Sequence, residues 1–68
     1  MALSARNSLR GTVEEVIWGD VLAHVTIRVG DDLIESVITR RSAEELKLAK
    51  GDSVSAVVKA TEVMIAKS

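Results

Sequence analysis

The run VLAHVTIRV at residues 21–29 constrains the fold more than any other feature of the chain. Val21, Ala23, Val25, Ile27 and Val29 alternate with Leu22, His24, Thr26 and Arg28. Successive side chains of a strand point to opposite faces, so this period predicts a strand with one buried face. Ahead of it, Leu9, Gly11, Val13 and Ile17 share one parity, which Glu15 interrupts, while Val16 takes the other. That break predicts a strand carrying a bulge or twist. LIESVIT (33–39) is apolar on both parities, through Leu33 and Val37 on one and Ile34 and Ile38 on the other, so a strand covered on both faces is expected. SVSAVVKA (53–60) and EVMIAKS (62–68) read as two further strands.

Turns fall where glycine and aspartate sit between β-branched runs, at WGD (18–20) and GDD (30–32). One helix is expected, over SAEELKL (42–48). There Ser42 and Glu45 match the S-x-x-E capping box, Ala43 and Leu46 face the core, and Gly51 is the expected stop. Five strands with a short helix between the third and fourth describe an all-β, five-stranded Greek-key barrel of the oligonucleotide/oligosaccharide-binding (OB) type. An SH3-like barrel has a similar strand count but usually carries no helix at that point.

A chain of 68 residues forms a single domain, 1–68, and one this small buries only about 60% of the surface its unfolded chain exposes. Cysteine is absent and His24 is the single histidine, so neither disulfides nor a metal centre can staple it. Self-association remains. The apolar content of 47% is almost wholly aliphatic, with Trp18 the single aromatic residue, which predicts surfaces that meet other copies. Nine basic and ten acidic side chains leave a net charge of −1, which gives no long-range attraction for nucleic acid. No signal peptide precedes the first strand and no segment approaches the ~20 apolar residues of a membrane span, so a cytoplasmic protein is expected.

Catalysis lacks its parts. His24 is the one base that titrates near neutral pH, and it sits mid-strand on the exposed parity, as a solvated or interface histidine would. Glu14 with Glu15, Asp31 with Asp32, and Glu44 with Glu45 are adjacent pairs whose members point in different directions. The glycines match neither a P-loop nor a dinucleotide fingerprint. No enzyme is expected.

Anion donors form the better constellation. Ser4, Arg6 and Asn7 offer a hydroxyl, a guanidinium and an amide within four residues; Lys59 and Thr61 lie near the other end, and Thr39 and Ser42 in TRRS (39–42). Several directional donors with one or two positive charges are what a small dianion needs to offset the loss of its water.

SARNSLRGTV (4–13), ITRRSAEEL (38–46) and VVKATEVMIA (57–66), in this order and spacing, resemble the molbindins, the TOBE-like Mop domains of the molybdenum-pterin-binding protein family. The resemblance covers nearly the whole chain. It implies a five-stranded barrel, assembly into a homohexamer built as a trimer of dimers, and molybdate or tungstate bound as the simple oxyanion between subunits, with no catalytic cofactor. It makes Ser4, Ala5, Arg6 and Asn7 one wall of the pocket and Lys59, Ala60 and Thr61 the opposing wall, with Thr39 and Ser42 completing it. Arg6 and Lys59 balance the dianion, while Ala5 and Ala60 contribute main chain alone; some relatives carry serine at the position of Ala60. Trp18 is outside the pattern and is expected to pack. Related domains also sense the anion when fused to transporters or regulators. This chain starts at Met1 directly before the motif and ends just after the last expected strand, which favours storage in the cytoplasm over an anion-sensing module. An OB-type nucleic-acid-binding barrel is the alternative of another class, and it would need exposed aromatics over a basic groove.

Overall fold

The structure, a computed structural model, describes residues 7–68. Its elements are β1 (Asn7–Trp18), β2 (Leu22–Val29), β3 (Asp32–Thr39), α1 (Arg40–Glu45), β4 (Ser53–Val58) and a 3-10 turn at Ala60–Glu62. The strands form one antiparallel sheet in the order β3-β2-β1-β4. Among the described residues no helix is long and apolar enough to cross a membrane.

β1 belongs to two ladders. Its first half, from Asn7 to Thr12, pairs with β4, and its second half, from Thr12 to Trp18, pairs with β2. The register slips between Val13 and Glu15, so Glu14 is the extra residue of a bulge, at the place where the alternation breaks. Beyond the bulge Val16 rather than Ile17 faces inward. Val13 turns both backbone groups to the loop ahead of β4: its N–H donates to the Asp52 carbonyl at 2.9 Å and its carbonyl accepts from Gly51 N–H at 2.8 Å. The β2–β3 hairpin closes through Gly30 and Asp31, between paired Val29 and Asp32. Gly30 takes φ +62° at the first central position, as a type II′ turn requires.

The inner face gathers Val13, Val25, Ile27 and Ala56 into the core, with Val16, Val29, Ile34, Ile38, Leu48 and Val54 packed around them. Two burial expectations are corrected. β3 is covered on its inner side only, because Leu33 and Val37 project from the outer face and stay 53% and 62% exposed. α1 seals the core through Ala43, fully buried, while Leu46 lies past the helix end and is exposed; Leu48 packs in its place.

Among the described residues the sheet has four strands rather than the expected five, and it is not closed. A trough of about 340 Å³ opens between β3 and β4, lined by Val25, Ile27, Ile34, Val54 and Ala56 among others. The segment 62–68, expected as the fifth strand, joins no ladder among the described residues. Instead the 3-10 turn carries the chain out of β4, and Val63 leaves it in extended conformation (φ −94°, ψ 123°), with Met64 and Ile65 93% and 89% exposed. An extended segment becomes a strand only against an edge, and among the described residues this one pairs with none.

Candidate functional site

The β1–β4 register brings together one group of the expected site residues. It pairs Asn7 with Val58, the last residue of β4, so Lys59, Ala60 and Thr61 emerge beside the start of β1. Lys59 is the extended residue (φ −68°, ψ 138°) ahead of the 3-10 turn, which closes when Glu62 N–H donates to its carbonyl at 2.9 Å. Asn7, Lys59, Ala60 and Thr61 are all exposed, and the Lys59 side chain takes no part in capping the turn. Glu62 puts one carboxylate in the same turn. Ser4, Ala5 and Arg6 lie outside the described residues.

Thr39 and Ser42 occupy the other end of the sheet. Thr39 pairs with Leu22, next to Ala23, which pairs with Trp18 at the end of β1. Asn7 opens that strand, and Trp18 closes it after 12 residues, roughly 35–40 Å of chain at the usual strand rise. One chain therefore does not bring the two groups together around a single small anion.

The helix register differs from the sequence expectation. Thr39, not Ser42, is the N-cap: its Oγ1 accepts from Ser42 N–H at 3.1 Å, and α1 starts at Arg40. The helix ends in a Schellman arrangement, with Leu48 N–H on the Ala43 carbonyl and Lys47 N–H on that of Glu44. Lys47 takes the left-handed position at φ 54°, so Gly51 is not the stop; it serves the later turn at φ 94°. Thr39 Oγ1 also donates to Ser42 Oγ at 2.8 Å. One hydroxyl proton joins the two oxygens, which leaves the other proton of the pair for an outside acceptor.

Arg40 carries no sequence signal, yet it ties this corner together. Its backbone N–H donates to the Val21 carbonyl at 2.8 Å and its Nη1 to the Gly19 carbonyl at 3.2 Å. The guanidinium carbon sits 5.9 Å from the centre of the Trp18 ring, and Nε lies 3.8 Å from Glu44. The contacts with Gly19, Val21 and Trp18 join residues 19 to 22 positions apart, beyond the reach of any local pattern.

Two ion pairs lie on the strands away from these groups. His24 Nε2 lies 2.9 Å from Glu35 Oε1, a diagonal cross-strand pair. Arg28 donates to both carboxylate oxygens of Glu14 at 3.2 and 3.4 Å, and these bonds with the guanidinium charge hold Glu14 below the usual carboxylate range. Among the described residues no three His, Cys, Asp or Glu side chains could hold a metal ion.

Known proteins share this arrangement. The TOBE domain family model matches residues 3–65. Molybdenum-pterin-binding protein 3 of Clostridium pasteurianum is 42% identical over 66 residues, which is 96% of this chain and 97% of that protein. A molybdate-binding protein from Sporomusa ovata, 39% identical, superposes with a TM-score of 0.93 over 98% of this chain and 100% of its own. The cytoplasmic molybdate-binding protein ModG, solved with molybdate bound, is 44% identical and superposes with a TM-score of 0.82 over 88% of this chain and 43% of its own. With the family model matched over nearly the whole chain and the fold superposing along its length, the chain belongs to the TOBE domain family, among the Mop molybdenum-pterin-binding proteins.

Proposed function

We propose that this chain stores molybdate in the cytoplasm, and accepts tungstate, by holding the oxyanion in seams between copies of itself. The register that sets Asn7 beside Lys59 and Thr61 carries the reading. It brings Asn7 and the segment that follows Val58 to one exposed place; Ser4, Arg6 and the main chain of Ala5, outside the described residues, are proposed to add donors there with the main chain of Ala60. A desolvated dianion is costly unless it meets charge-assisted hydrogen bonds, and Arg6 and Lys59 supply two positive charges. Glu62 opposes them, so both cations are needed. Thr39 and Ser42 complete the pocket from a different copy, since a single chain holds them at the far end of its sheet.

Apolar surface supports the same reading. The trough, the tail at Val63, Met64 and Ile65, and the outer residues Ile17, Leu22 and Val37 are left uncovered by one chain. A homohexamer, built as a trimer of dimers, covers them and creates the seams. The function needs neither a catalytic cofactor nor a catalytic step.

Titration calorimetry with molybdate, tungstate and sulfate tests it. Heat at micromolar molybdate is expected, and its absence removes the storage reading. Lys59→Ala is expected to lose about 1.5–3 kcal/mol, on the order of ten- to a hundredfold in affinity, as for a charge-assisted bond. Unchanged affinity would move the pocket elsewhere.

A further inference from the structure

We propose that Trp18 and Arg40 are positioning residues that aim the Ser42 hydroxyl into the anion seam, and that Trp18 reports when the seam is filled. The inference rests on the storage reading above.

Ser42 is the outward donor of a two-step relay. Its N–H donates to Thr39 Oγ1 at 3.1 Å and the two hydroxyl oxygens lie 2.8 Å apart, so one hydroxyl proton joins the pair and the other is left to turn outward. Chained hydroxyls strengthen one another, so the Thr39–Ser42 pair donates better together than either would alone. The direction of the Ser42 O–H then depends on how rigidly the segment 39–42 is held.

Arg40, the next residue after Thr39, supplies that rigidity. Its main chain is bonded to Val21 and its guanidinium to the Gly19 carbonyl, so the β1–β2 turn is clamped to the start of α1 at two points. The Trp18 ring supports the guanidinium from one side and Glu44 faces its Nε. With Nη1 bonded to Gly19, its face on the Trp18 ring and its Nε toward Glu44, Arg40 acts in this proposal by holding the donor segment in place. A flat guanidinium can lie on a ring and donate to a carbonyl in its own plane, which the point charge of lysine does not reproduce. An anion arriving at Ser42 pulls on this guanidinium, and the change falls on the indole beside it. No other aromatic side chain exists to mask the signal.

The experiment pairs calorimetry with tryptophan emission during sodium molybdate titration of the assembled protein. Wild type is expected to show an emission change whose midpoint matches the calorimetric one. Arg40→Lys, although it keeps the charge, is expected to bind roughly two- to fivefold more weakly, as is Trp18→Leu, the effect expected of a lost cation–π brace. Trp18→Phe, which keeps a ring face, is expected to restore most of the affinity. If Arg40→Lys or Trp18→Leu binds as wild type does, or if molybdate binds with no change in emission, the brace is overturned and the storage reading stands. If wild type gives no heat with molybdate, both fall. Arg40→Lys removes no large apolar side chain, so it keeps the test decisive should Trp18→Leu fail to fold.

Discussion

Three residues carry more of the architecture than their types suggest. Lys47 occupies the left-handed position that closes α1, where glycine is the usual choice because a side chain there costs roughly 1–2 kcal/mol. Part of that cost is offset by glycine's larger loss of freedom on folding. Lys47→Gly is therefore expected to stabilise the protein by about 0.5–1 kcal/mol, read as a higher urea midpoint with an unchanged slope. Gly11 is the opposite case: a Cβ there would lie 2.5 Å from the Arg28 carbonyl oxygen, 2.8 Å from Ile27 Cγ2 and 3.0 Å from Val29 Cγ2. A backbone carbonyl cannot swing aside, so Gly11→Ala is expected to cost about 1–3 kcal/mol by overpacking, seen in the same unfolding experiment. Glu14 shows the sign of an ion pair. Arg28 lowers its pKa, so the stabilisation is complete above the ordinary glutamate range and fades as pH falls through the depressed value. A carboxyl NMR titration should place Glu14 below an ordinary glutamate, and Arg28→Gln should return it to normal.

At the level of elements, legibility follows whether the cause is local. β2 was readable because its alternation is complete, and the β1 bulge because Glu15 falls where an inward apolar residue is due. α1 was placed two residues late, since Thr39 and Ser42 are both capable caps three positions apart. Thr39 wins by closing β3 and accepting the Ser42 N–H in one step. Thr39→Ala should thus cost about 1 kcal/mol in thermal unfolding without anion, the typical value of an N-cap, while Ser42→Ala should cost less. Residues 62–68 have strand composition, but composition does not say whose edge they meet. The candidate site divides in the same way. The pairing of Asn7 with Val58 follows from two strands that can be read, whereas the Arg40–Trp18 contact depends on a turn bringing distant residues face to face.

For the whole molecule, assembly and anion binding should rise and fall together. A single chain leaves Val63, Met64 and Ile65 exposed, and it also leaves the trough between β3 and β4 open. Burying each large aliphatic side chain contributes about 1.5–3 kcal/mol, and in a hexamer that gain recurs at every equivalent contact. The double substitution Met64→Ser with Ile65→Ser removes most of it without touching Asn7, Lys59 or Thr61. Native mass spectrometry is expected to show hexamer giving way to smaller species, with the bound anion lost in step. Added molybdate should push the equilibrium back, because a ligand that binds the assembled form alone stabilises it by about 2.7 kcal/mol at a hundred times its dissociation constant. Rescue by molybdate would tie the donors to the seam. A dissociated variant that still captures molybdate at wild-type affinity would place the whole pocket within one copy, against the separation that the β1 register imposes between Asn7 and Thr39.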